Sequence, residues 1–123
     1  MNTSLLDTLT RMQAAESIEV VAVVDLDGMI VSAAPSDDEV ESLAASAAGV
    51  MTFLAALGAD TGLGDTIQAS IEYVNGTLLV GPVGSDTFLL VLAPQDAPLG
   101  QLRLILRRYK AEIEGWLNGT LVE

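Results

Sequence analysis

The residues of this chain with the types and spacing to do chemistry are a few carboxylates, a run of glycines and five bases. His and Cys are both absent, which removes imidazole bases, thiol nucleophiles, disulfides and the usual zinc-ligand sets together. Asp25 and Asp27, two positions apart, could form a carboxylate pair or open a calcium loop. An EF-hand loop places its glycine sixth, however, and Gly28 stands fourth counting from Asp25, so the turn of a hairpin accounts for these residues better. The stretch Gly58-Ala-Asp-Thr-Gly-Leu-Gly64 has phosphate-loop glycines, but no Lys-Ser or Lys-Thr follows, so it is not a P-loop. The bases are Arg11, Arg103, Arg107, Arg108 and Lys110. Arg108 with Glu112 and Lys110 with Glu114 stand at i,i+4, which predicts pairing along a helix face, although the base-first order is the weaker one. These residues argue against an enzyme, a metal or a bound cofactor.

Charge narrows the partners. Seventeen acids against five bases leave a net −12 over 123 residues, a field that repels nucleic acid and anionic membranes. The split is uneven, with −13 on residues 1–96 and +1 on residues 97–123. Half the residues are apolar while 4% are aromatic, so one core of Val, Leu, Ile and Ala is expected, in a single domain spanning 1–123. The opening MNTSLLDTLTRM has no basic region ahead of an apolar run, which predicts a cytoplasmic location.

The elements that must position these residues follow from apolar spacing. Leu5, Leu6, Leu9 and Met12 predict a first helix over 3–14, capped by Asn2, Thr3 or Ser4. The β-branched run 18–24, the Asp25-Leu26-Asp27-Gly28 turn and the run 29–33 predict a hairpin. Acids at 37, 38, 39 and 41 suit the start of a second helix over 37–60, which glycines 58, 62 and 64 end. Ile67, Ala69, Ile71 and Tyr73 alternate with polar residues, so 67–74 reads as a strand with one wet face. Asn75-Gly76 predicts a type I′ turn, in which both central residues need positive φ, into a strand over 77–83. Gly84-Ser85-Asp86 turns the chain into 87–93, apolar on both faces. A last helix opens around Asp96 and Pro98 and buries Leu99, Leu102, Leu106, Tyr109, Ile113 and Trp116. The order α-β-β-α-β-β-β-α predicts an α+β fold, a five-stranded antiparallel sheet with helices packed on its faces. Strands 18–24 and 87–93 belong in its middle and 67–74 at an edge.

The second helix has more apolar surface than a sheet can cover. Val40, Leu43, Ala47, Val50, Met51, Leu54 and Leu57 form a stripe expected to face the sheet. Its flanks are Ser42, Ser46, Gly49, Phe53 and Ala56 on one side and Ala45, Ala48, Thr52, Ala55 and Ala59 on the other, with no Lys or Glu. A membrane span is disfavoured by weakly hydrophobic small residues, bracketing acids and the lack of nearby bases. An Ala-rich helix left in water is a second reading. Contact with the same helix of a second copy is the preferred one, because a protein this acidic must self-associate where charge is absent. The edge strand would add a second joint by pairing with its own copy.

With the hairpin VVAVVDLDGMIVSAAP, the small-residue helix ESLAASAAGVMTFLAALG, the meander YVNGTLLVGPVGSDTFLLVLAP and the helix opening DAPLGQLRLILRRY in this order, the sequence resembles the roadblock-type dynein light-chain family, which includes bacterial MglB-type proteins. The resemblance covers essentially the whole chain. It implies a roadblock/profilin-like fold, with the second helix on one face of the sheet and the first and last helices on the other. It also implies a homodimer joined through second helices and edge strands, at Ser42, Ala45, Ser46, Ala48, Gly49, Thr52, Phe53 and Ala56 and at Ile67, Ala69 and Ile71. The implied function is a non-enzymatic regulator or binding platform for a Ras-like small GTPase, stimulation of GTP hydrolysis being one form of that regulation. None of the bases lies on the second helix, so any stimulation is expected to act by reordering the GTPase's own switch residues. The alternative is a dimeric scaffold without effect on GTP turnover.

Overall fold

A computed structural model describes residues 4–15 and 18–119 of the chain. Helix α1 (Leu5–Ala15) begins where the Ser4 hydroxyl accepts from the Asp7 amide at 3.2 Å, so Ser4 supplies the side-chain cap. The other two cap candidates, Asn2 and Thr3, lie outside the described residues. Strands β1 (Val20–Asp25) and β2 (Ile30–Ala34) form the expected hairpin. The Asp25 carboxylate accepts from the amides of Asp27 and Met29 at 2.9 and 3.0 Å, and Gly28 takes φ +89°. Asp25 is thus occupied in shaping its own turn.

Helix α2 (Asp38–Thr61) is the longest element, at 24 residues. Asp37 caps it by accepting from the Val40 amide at 2.9 Å, and Asp38, Glu39 and Glu41 complement the positive end of its dipole. Gly62, at φ +72°, ends it in the left-handed conformation that a side chain would oppose. The next two residues fold back, with Leu63 and Gly64 amides donating to the Gly58 carbonyl.

Strands β3 (Ala69–Tyr73), β4 (Gly76–Val83) and β5 (Thr87–Pro94) complete a five-stranded antiparallel sheet of order β2-β1-β5-β4-β3. The doubly apolar β5 lies at the centre between β1 and β4, and β3 is an edge, as expected. Strand β3 is shorter than its alternating pattern suggested, and Ile67 precedes it. The β3–β4 turn also differs from the expectation. Tyr73 pairs with Gly76, which leaves Val74 and Asn75 as the two turn residues, and Gly76 is not among the glycines with positive φ. Gly76 is needed for a different reason: a Cβ there would stand 2.8 Å from the Ala93 carbonyl oxygen on β5. The pair Asn-Gly still marks the hairpin, but tight strand packing displaces the turn by one residue.

Helix α3 (Leu99–Leu117) follows Pro98. The core has two layers. On one face of the sheet, Leu9 and Met12 of α1 meet Leu102, Ile105 and Ile113 of α3 over Val21, Val23, Leu79 and Val91. On the other, Val40, Ala44, Ala47, Ala48 and Met51 of α2 cover Ala22, Val24, Val80, Phe88 and Leu90. This is the predicted arrangement of one helix against two. Ile105, absent from the stripe predicted for α3, is buried, whereas Leu99, Leu106, Tyr109 and Trp116 are half-buried.

Candidate functional site

Small residues explain how α2 sits on the sheet. Ala44, Ala47 and Ala48 are buried and pack with Ala22, Val24, Val80, Phe88 and Leu90 of the sheet. The stripe facing the sheet is consequently shifted from the expected one. Val50 is half-buried and Leu57 is 44% exposed. The assignment of Ala48 to the free flank is corrected, since it is 7% exposed and belongs to the core under α2. The reason is the β1–β2 turn, which rises against the helix here. A Cβ at Gly28 would come 3.1 Å from Ala45 Cα and 3.6 Å from Ala48 Cβ. One of the two flanks is therefore partly used within the subunit.

The other flank is open. Ser42, Ser46, Gly49, Phe53 and Ala56 are all exposed, and so are Ala45 and Thr52 of the flank beside the turn. Phe53, at 64% exposure, is the one large side chain among them. The Thr52 hydroxyl donates back to the Ala48 carbonyl at 3.2 Å, so this polar group is satisfied by the helix itself. Gly49 has no atom within 4 Å of where a Cβ would be. The surface is thus uncharged and, apart from Phe53, made of small residues around a glycine. Among the described residues α2 alone has the length and apolar composition to cross a membrane, but it lies along the sheet with one stripe buried and acids at its start.

The edge strand lies in the same layer. Ala69 and Ile71 are half-buried and pack in the apolar cluster that also contains Leu54 of α2. Strand β3 is bonded to β4 on one side and, among the described residues, to no strand on the other. Tyr73 at its end and Val74 just past it are 61% and 88% exposed. Ile67, expected on this strand, is instead 84% exposed ahead of it, where its carbonyl stands against Gly81. The structure therefore packs Ala69 and Ile71 in the apolar layer under α2, leaves the flank of α2 exposed, and sets Ile67 apart.

The bases are arranged differently from the expected i,i+4 pairs. Glu112 accepts from Arg11 of α1 and from the buried Thr8 hydroxyl, and Glu114 accepts from the Gly84 amide at 3.0 Å. Both acids thus serve tertiary contacts, and the Arg108–Glu112 and Lys110–Glu114 pairs do not form. Arg11 also lies 6.0 Å from the Tyr109 ring centre, within cation–π range. Trp116 Nε1 donates to Thr8 Oγ1 at 3.1 Å, closing a polar tie between α1 and α3. Thr8 is flanked by Leu5, Leu9 and Met12, and only its burial in the fold distinguishes it from a surface threonine. Of glycines 58, 62 and 64, the first has a packing role and the other two adopt positive φ. A Cβ at Gly58 would fall 2.1 Å from the Gly64 oxygen.

Known proteins share this fold. A Roadblock/LC7 domain from Streptomyces avermitilis superimposes with a TM-score of 0.87 at 24% identity, covering 94% of this chain and 98% of that one. Myxococcus xanthus MglB gives 0.86 at 23% identity, with coverages of 94% and 95%. A structure described as MglB with tetrameric arrangement gives 0.84 at 17% identity, with coverages of 98% and 96%. No curated protein matches the sequence. The family model for the Roadblock/LC7 domain matches residues 5–93, from the start of α1 through β5, and the chain belongs to the Roadblock/LC7 family.

Proposed function

We propose that two copies of this chain join through the open flanks of α2 and the free edges of β3, and that the pair is a binding platform for a Ras-like small GTPase. The family with its MglB members is one of small-GTPase-associated regulators, and this assembly is the form of it that the chain's surfaces suit. The observation that carries the reading is the uncharged flank of a 24-residue helix, together with a strand edge unpaired among the described residues, in a protein of net charge −12. Small residues let two helices approach closely, and an antiparallel edge extends a sheet by pairing with its own copy. The tetrameric arrangement described for an MglB is consistent with self-association through such surfaces.

The platform is non-enzymatic and acts in the cytoplasm. Arg11 is held by Glu112 and stacked near Tyr109, on the face of the sheet opposite α2, and Arg103, Arg107, Arg108 and Lys110 lie on α3. A GTPase docked on paired α2 helices meets none of them, so any stimulation of hydrolysis works by ordering the GTPase's own switch segments. The test is to incubate the purified protein with each Ras-like small GTPase of the same genome, loaded with GDP or a GTP analogue, and to measure binding and turnover. Nucleotide-dependent binding is expected, with Arg11→Ala and Arg107→Ala leaving turnover within about twofold of the unmodified pair. A collapse of stimulation with binding intact would show an inserted arginine, and absence of binding to any of these GTPases would leave the scaffold reading.

A further inference from the structure

The face opposite α2 has a site of its own. Between α3 and the start of β3 lies a groove of about 170 Å³, lined by Ile67, Pro82, Val83, Leu89 and Leu106, with Arg103, Arg107 and Lys110 at its rim. Three of the five bases in the chain thus gather around one apolar hollow. The groove exists because Gly81 has no side chain. A Cβ there would stand 2.9 Å from the Ile67 carbonyl oxygen and 3.6 Å from Gln68 Cα, so the glycine lets the segment before β3 cross β4 and form one wall. Arg103 spans the mouth and donates to the Ser70 hydroxyl of β3 at 3.1 Å. Among the described residues Arg107 and Lys110 have no ion-pair partner. The nearby acids do not neutralise them, since Glu112 and Glu114 are drawn to Arg11 and the Gly84 amide.

We propose that this groove binds an acidic segment of a partner protein, with one aliphatic or aromatic side chain seated in the hollow and carboxylates on Arg107 and Lys110. Size selects the occupant. A cavity of ~150 Å³ holds a benzene ring, whereas pockets for drug-sized ligands and cofactors run to roughly 300–1,000 Å³. The hollow therefore takes one side chain and not a cofactor. Charge selects the rest, because the rim is a cationic cluster in a strongly acidic protein and a carboxylate-bearing segment finds attraction there and repulsion elsewhere. A partner on this face leaves the open flank of α2 free, so the inference stands whether or not the dimer and its GTPase are confirmed.

The test is a phage-displayed random peptide selection on the purified full chain. Two variants of equal net charge are then compared, Arg107→Glu at the rim and Arg108→Glu one residue away and outside the groove. Recovered peptides should be rich in Asp and Glu around one apolar residue. By fluorescence polarisation at low salt they should bind Arg107→Glu at least tenfold more weakly than the unmodified chain, and Arg108→Glu within about threefold. Replacing the apolar residue of the peptide by alanine should lower affinity by a similar factor. Circular dichroism of the two variants confirms that both remain folded. The proposal is overturned if no peptide is recovered, if the recovered peptides lack acids, or if both variants weaken binding equally.

Discussion

Single residues show how local chemistry is decided by what lies across the fold. Gly76 stands in the chain's strongest turn signal, yet it faces the Ala93 carbonyl from within β4. Gly76→Ala is therefore expected to destabilise the fold by about 1–3 kcal/mol, the usual range for forcing an extra methyl into a closed site, measured by urea unfolding. No loss would mean that the strands can part at no cost. Thr8 is a second case, completely buried and sharing its hydroxyl with Glu112, Trp116 and Arg11. Thr8→Val keeps the shape but leaves these groups without their common partner, at a cost of about 1–3 kcal/mol. The same measurement checks it, and an unchanged midpoint would show that water replaces the hydroxyl. The Arg11–Glu112 pair adds little beyond this, about 0–1 kcal/mol, because both side chains are partly solvated.

At the scale of elements, α2 contains two interior glycines with opposite expectations. Gly58 lies under the returning Gly64 carbonyl, whereas Gly49 faces open space. An alanine in place of an unhindered helix glycine stabilises by roughly 0.5–1 kcal/mol. In protein kept monomeric by Phe53→Glu, thermal unfolding should therefore rise for Gly49→Ala and fall for Gly58→Ala. A rise in both would show that the turn after α2 moves aside freely. The boundaries of α2 were legible in Asp37, in the acids of its first turn and in Gly62, because caps act locally. Which stripe it buries was only half legible. Leu57 looked like core and Ala48 looked like surface; Leu57 is 44% exposed, and the β1–β2 turn leaning on Ala45 and Ala48 places Ala48 in the core.

For the whole molecule, the proposed dimer makes solution mass the informative quantity. Light scattering at micromolar concentration should give about twice 12.8 kDa for the unmodified chain. Phe53→Glu, placing charge on the open flank, should reduce it to the monomer, while Met29→Glu, at an exposed site on the β1–β2 turn, should not. A monomeric mass for the unmodified chain ends the platform reading. The sequence by itself determined the element order, the antiparallel sheet with its central and edge strands, the approximate bounds of α1 and α2, and the uncharged flank. Each of these follows from periodicity, turn chemistry or charge within a short stretch of chain. Only the tertiary structure decided which acids answer which bases, why Gly76 and Gly81 carry no side chain, and that three bases rim a hollow beside Ile67. Those arrangements join residues as far apart as Arg11 and Glu112 or Ser70 and Arg103, and no local pattern records a contact made across the fold.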